Sequence, residues 1–132
     1  MKPKTEEKQF LCKAGEYSVC AELQKRNINA SVTAGAMLPG DIIIYHDLKI
    51  WMVEVKTTKS AKIVTAFFQK YYDPERINKP AFWVLVHIHP ETLISDYYVL
   101  THEEMTKEQM IRNGMTEWKA VKRGVDNILV SN

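Results

Sequence analysis

The stretch that decides the fold is Asp41-Ile42-Ile43-Ile44-Tyr45, followed after His46-Asp47-Leu48 by Lys49-Ile50-Trp51-Met52-Val53-Glu54-Val55-Lys56. Two apolar runs around a polar break predict a β-hairpin. With Asp47 and Leu48 at the turn, His46 faces Lys49. Counting outward pairs Tyr45 with Ile50, Ile43 with Met52, and Asp41 with Glu54. Directly opposed residues share a face, with Cβ atoms roughly 4.5–5.5 Å apart. Lys56 lies two residues past Glu54 and projects from the same face. Ile50 and Met52 precede Glu54 on that face, which predicts that it is covered. Two carboxylates so placed repel each other unless a cation sits between them. Two acids and an ammonium therefore suit a divalent-metal site with a positive neighbour better than they suit a core.

On the N-terminal side, residues 1–9 are charged and are expected to fray. From Leu11 to Asn27 the pattern is helical, with Cys12, Glu16, Val19, Cys20 and Leu23 on one face. Glu16 falls inside that apolar stripe, where carboxylates are uncommon. Ala30 to Ala34 reads as a short strand anchored by Val32. Gly35, Pro39 and Gly40 mark the turn into the hairpin.

On the C-terminal side, Thr57 to Ala61 is a polar link. Lys62 to Tyr72 reads as a helix ended by Asp73-Pro74, with Ile63, Ala66, Phe67 and Lys70 on one side. Ala81 to Ile88 is a strand apolar on both faces, as a central strand covered by helices would be. Asp96 to Leu100 is a further strand. Thr101 and Glu104 form a capping box for a helix running towards Asn113. Trp118, Val121, Val125 and Ile128 have helical spacing, interrupted by Gly124. A helix between the Glu54 strand and the Phe82 strand suits a crossover between parallel neighbours, whereas the hairpin is antiparallel. The fold class expected is α/β: a central mixed sheet flanked by helices in three layers.

A chain of 132 residues is one domain on the length prior, with a core over about 12–113 and an extension over 114–132. Apolar residues make up 45% and charged residues 26%, ordinary values for a globular protein. A formal charge of +2 does not by itself announce nucleic-acid binding, although it permits a local basic cleft. Cys12 and Cys20 stand two helical turns apart, roughly 12 Å, too far for a disulfide. There is no signal-peptide h-region and no apolar run of membrane-spanning length, so the expected location is the cytoplasm, away from the membrane.

The element order and these residues resemble the PD-(D/E)xK nuclease superfamily, the restriction-endonuclease-like fold. In that family a helix carrying a Glu precedes a three-stranded meander, an Asp starts the second strand, and Glu-x-Lys lies on the third. The matches are Glu16 in Gly15-Glu16, Asp41 in Pro39-Gly40-Asp41, and Glu54-Val55-Lys56. Gly15 to Leu23 looks like the first helix of the branch containing Holliday-junction resolvases. The family's Pro-Asp pair is split here by Gly40. The resemblance implies that Asp41, Glu54 and the Val55 backbone carbonyl bind Mg²⁺ or Mn²⁺. It further implies that Lys56 orients the attacking water or stabilises the transition state, and that Glu16 holds a water or a second metal. Gln69 matches a Gln/Tyr element that follows the catalytic strand in RecB-like nucleases. The implied substrate is DNA, duplex or branched, and the implied assembly is a homodimer.

Each residue also has a plainer reading. Asp41 is favoured beside a Pro-Gly turn. Glu54 and Lys56 fit a strand edge with alternating charge. Glu16 fits a helix start, where the macrodipole favours acids. His87 and His89 form a His-x-His pair that can bind zinc or copper, but no Cys or third His has supporting spacing, so a strand end leaving the core is the expectation. Lys59 and Lys62 suit a solvated loop, and Trp51 and Trp83 suit the core. Three functions stay open. They are a metal-dependent endonuclease, a catalytically silent nucleic-acid-binding or assembly module, and a metal enzyme acting on another substrate.

Overall fold

The computed structural model describes residues 5–33, 40–71, 73, 75–117 and 125–130. The hairpin forms as its pattern predicts. Strand β2 (Ile42–His46) pairs antiparallel with β3 (Lys49–Thr58), with His46 facing Lys49, Ile43 facing Met52 and Ile42 facing Val53. Asp47 and Leu48 both take positive φ, 49° and 63°, as a two-residue hairpin turn matched to strand twist requires. Upstream, α1 (Thr5–Lys25) leads into β1 (Asn29–Val32), which pairs with β2. Downstream come β4 (Lys62–Val64), α2 (Phe67–Tyr71), β5 (Phe82–Ile88), β6 (Ser95–Thr101), α3 (His102–Arg112) and β7 (Asn127–Leu129).

The main sheet runs β1-β2-β3-β5-β6. β3 and β5 are parallel and the other neighbours are antiparallel. It is a mixed sheet flanked by helices, an α/β arrangement in three layers. On one face α1 packs Val19 against Ile42, Val53, Val55, Val84 and Val86. On the other, Trp83 and Leu85 meet Phe67, Tyr71, Met105 and Ile128. β5 is covered on both faces, with every residue from Trp83 to Ile88 buried, which explains its near-continuous apolar sequence. A second sheet of β4 and β7 lies against the Trp83 side. The capping box forms: Thr101 accepts from the Glu104 amide and Glu104 from the Thr101 amide.

Several expectations are corrected. α1 starts at Thr5, so residues 5–9 are helical although exposed. Its buried face is Gly15 and Val19, while Cys12 is exposed. Both cysteines are free. β1 is anchored by Ala30, not Val32. Lys62–Val64 is a strand, because β7 supplies it with a partner from the far end of the chain. Only Phe67–Tyr71 is helical, after a break at Ala66 with φ of 53°. Ile128 belongs to β7 and packs in the core, so the helical reading of the C-terminal segment fails there. Trp118, Val121, Gly124, Pro39 and Tyr72 lie outside the described residues. Trp83 is fully buried, but Trp51 is 36% exposed and leans on Phe82 near the hairpin tip. Ile50 is 67% exposed, so the face that buries Glu54 is not covered that far out. Among the described residues no helix is long and apolar enough to cross a membrane.

Two glycines set the distances between elements. A Cβ on Gly15 would lie 1.8 Å from Thr57 Oγ1 and 2.9 Å from Thr57 Cβ, so α1 touches β3 through a bare backbone. A Cβ on Gly40 would lie 2.8 Å from the Val53 carbonyl oxygen. Gly40 therefore separates the Pro from the Asp because only glycine lets the chain pass this close to β3. Gly15→Ala tests the first contact. Helix propensity alone favours Ala by about 1 kcal/mol, while the overlap with Thr57 costs about 1–3 kcal/mol. The clash involves the branch atom Cβ, which rotation of Thr57 does not move. The expected net result is a lower thermal midpoint, partly restored by adding Thr57→Ala.

Candidate active site

The site lies where β2 has ended and β3 continues. β2 pairs with β3 only as far as Ile42 and Val53, whereas β5 follows β3 from Val53 to Thr58. From Val55 onward, the β2 side of β3 is an open edge among the described residues. The Met52 carbonyl accepts from Ala81 beside β5, and the Val53 carbonyl accepts from Asp41 beside β2. By that alternation the N–H and C=O of Val55 both face the open edge.

Asp41 closes the edge. Its amide donates to the Val53 carbonyl at 2.8 Å although Ile42 already faces Val53. Two residues against one is the count of a β-bulge, a device that re-aims a side chain at the end of a ladder. The Asp41 Oδ2 then accepts a 2.8 Å hydrogen bond from the Val55 amide, which β2 no longer reaches. Thr33, the residue after β1, fixes this corner: its amide donates to the Asp41 carbonyl at 2.8 Å and its hydroxyl to the Gly40 carbonyl at 3.1 Å.

Glu54 is buried, 6% exposed, on the same face as Trp83 and Leu85. Lys56 Nζ lies 3.5 Å and Lys70 Nζ 3.6 Å from its Oε1. Burial raises the Glu54 pKa above its usual value, and the Asp41 charge adds to the rise; the two lysines oppose it. Glu16 sits at the same edge, next to the Gly15–Thr57 contact. Its pKa is also raised, by burial first, then by Asp41, with a smaller push from Glu54, while Lys13 at 3.3 Å opposes the shift. Burial pushes the Tyr71 hydroxyl up to about 12, with Glu54 as the next cause.

Asp41, Glu54, Lys56 and Glu16 are thus brought to one corner. Gln69 is exposed on α2, and its neighbour Lys70 is the residue that reaches Glu54. Lys70 was visible in the sequence only as a member of a helix face. Lys59 and Lys62 are exposed. His87 does not leave the core: it is 6% exposed. With His89 and Asp96 it forms a cluster whose ligand atoms all lie within 4.8 Å of one another and which could coordinate a metal ion. Asp96 escaped the sequence reading because it arrives across the β5–β6 ladder, opposite His87.

No protein-family model and no curated protein matches the chain. Solved structures do match. One is a bacterial homing endonuclease, I-Ssp6803I, with a TM-score of 0.51 at 16% identity, over 72% of this chain and 65% of that one. The chain therefore spans less than two thirds of that endonuclease's length. At this identity the likeness concerns the fold.

The raised Glu54 pKa has a testable sign. A carboxyl whose folded pKa is raised binds its proton more tightly in the folded state, so stability falls as pH rises through that window. For protein stripped of metal with a chelator, Glu54→Gln should gain on wild type in thermal midpoint as pH is raised from about 4 to about 8. A difference moving the other way would mean that the Lys56 and Lys70 contacts outweigh burial and the Asp41 repulsion.

Proposed function

We propose that this chain is a Mg²⁺- or Mn²⁺-dependent endonuclease that hydrolyses phosphodiester bonds in DNA, on a restriction-endonuclease-like domain. The observation that carries the reading is the gathering of Asp41 and Glu54, beside Lys56, at the open edge of β3. The likeness in fold to a homing endonuclease supports it. The donor set fits the ion. Asp41, Glu54 and the Val55 carbonyl are oxygen ligands, which hard divalent cations prefer, and such ions keep several waters. Burial first, and then the Asp41 charge, raise the Glu54 pKa, and a cation would relieve both.

When bound, the ion supplies charge stabilisation at the scissile phosphate and eases deprotonation of water. The chain's own residues do the rest. The Val55 amide holds the Asp41 carboxylate in place. Lys56, shielded in part beside Glu54, orients the attacking water and offsets negative charge as the phosphorus becomes five-coordinate. Lys70 brings a second ammonium to the same carboxylate and is free to turn towards a phosphate oxygen. Glu16 accepts a hydrogen bond from water on the α1 side. DNA is the expected partner, and a homodimer would let two such small domains span a duplex.

A second reading is a nucleic-acid-binding or assembly module without turnover. It is favoured by the two lysines on Glu54, which already offset its charge with no ion.

Cleavage of single-stranded, duplex and branched DNA with Mg²⁺ or Mn²⁺ separates the two. Wild type should cut, Glu54→Ala and Lys56→Ala should lose at least about two orders of magnitude, and Lys70→Ala should lose less. Cutting that survives in both Ala variants, or is absent in wild type, would reject the nuclease. Salt-sensitive binding without cutting would select the silent module.

A further inference from the structure

The structure assigns a second metal site, selective for a borderline transition ion such as Zn²⁺, to His87, His89 and Asp96. It is independent of the nuclease reading and has different chemistry. Two imidazoles and one carboxylate are nitrogen-rich ligands that suit zinc, cobalt or nickel, whereas Mg²⁺ favours all-oxygen sites.

Strand register builds the cluster. His87 is in β5 and faces Asp96 of β6 directly across the ladder. His89 is the first residue after β5, so the two histidines share a face, with ring centroids 4.6 Å apart. His89 Nε2 lies 2.7 Å from Asp96 Oδ2, and the three ligand atoms lie within 4.8 Å of one another. Ligand atoms about 2.0–2.1 Å from a tetrahedral zinc stand roughly 3.3 Å apart. Loading the ion therefore requires the His89–Asp96 pair, 2.7 Å apart, to open by about 0.6 Å, and the longer separations, up to 4.8 Å, to close by as much as about 1.5 Å, which side-chain rotation must supply.

Burial grades the site: His87 is buried, His89 half-buried and Asp96 exposed. His87 thus gives a fixed floor, and the ion enters from the Asp96 side. The cluster opens onto a groove of about 810 Å³, also lined by Tyr98, Glu108 and Leu129. Three protein ligands and an open side leave one position for water or another small ligand. The site lies on the Glu54 face of the sheet. Glu54 is level with Trp83, and His87 is four residues further along β5, roughly 13 Å at 3.3 Å per residue. One ion could not serve both places. An ion here ties the end of β5 to the start of β6 across their connection.

The test is titration of the full chain, stripped with a chelator, with Zn²⁺ and separately with Co²⁺, following heat and the visible absorption of bound cobalt. Wild type should take up one ion per chain at this site. His89→Ala and Asp96→Asn alter partly exposed residues and should fold normally by circular dichroism. Each should weaken uptake by roughly tenfold or more, because losing even an outer partner of a ligand costs about that much. With Mg²⁺ in excess to occupy the carboxylate corner, zinc uptake at the imidazole site should persist. No saturable uptake in wild type, uptake unchanged in both His89→Ala and Asp96→Asn, or displacement of zinc by excess Mg²⁺ would overturn the assignment.

Discussion

The hydrogen bond from the Val55 amide to the Asp41 carboxylate is the constraint on which the corner depends. A strand that outruns its neighbour leaves amides and carbonyls without a ladder, and buried groups of that kind are costly unless paired. Here β3 outruns β2 beyond Val53. The chain solves the problem at one atom by bulging Asp41 against Val53 and turning its side chain onto the orphaned amide. A carboxylate thereby becomes a structural part of the sheet edge, close enough to Glu54 for each to feel the other's field. A backbone requirement and a concentration of negative charge are met by the same side chain.

That concentration is tolerated because the protein surrounds it with opposed charge and with exact spacing. Lys56 comes from β3 itself and Lys70 from α2, and both approach Glu54 Oε1. Pairs of this kind, with one partner buried and the other partly wet, mainly limit the cost of burying the acid. The contact of Gly15 with Thr57 places α1 against the open edge, where a side chain from the α1 face can approach those of the other face. Glu16 is the next residue; burial raises its pKa first, and the nearby Asp41 charge adds to the rise. Glycine at 15 and at 40 thus does chemical as well as conformational service, since larger residues would push an acid away from the corner.

What was legible in the sequence was local. The Ile43–Met52 register followed from a two-residue turn and a period of two, and one slipped residue would have turned the Ile42 face to solvent. Its extrapolation to a direct Asp41–Glu54 pair fails, because the bulge sets Asp41 against Val53 instead. The parallel placement of β5 followed from the crossover and its double-sided apolar run. What was illegible depended on partners distant in sequence. Lys62–Val64 has helix-compatible spacing and becomes a strand only because Asn127–Leu129 pairs with it. Trp51 looked like core because its strand is apolar, but it lies near a hairpin tip that no helix covers among the described residues. Asp96 joined the histidines through a ladder register that spacing along one strand cannot express.

The two proposed ligand sets would keep unlike metal chemistries apart on one sheet. Both lie on the Trp83 face, yet each is built at a different kind of strand end. The carboxylate corner forms where a neighbour stops early and leaves edge backbone to be satisfied by oxygen. The imidazole cluster forms where two strands of equal reach, Phe82–Ile88 and Ser95–Thr101, part company at a connection. Between them, Leu85 packs with Phe67, Met105 and Ile128. The side chains of that block offer no oxygen or nitrogen ligand, and the soft thioether of Met105 does not suit Mg²⁺, so they make no bridge of ligands between the two places. At the proposed sites selectivity would rest on donor type, oxygen at one end and mostly nitrogen at the other. Thr58 and His87, opposite each other in the β3–β5 ladder, mark where the long strand that begins as one half of the hairpin reaches the second site.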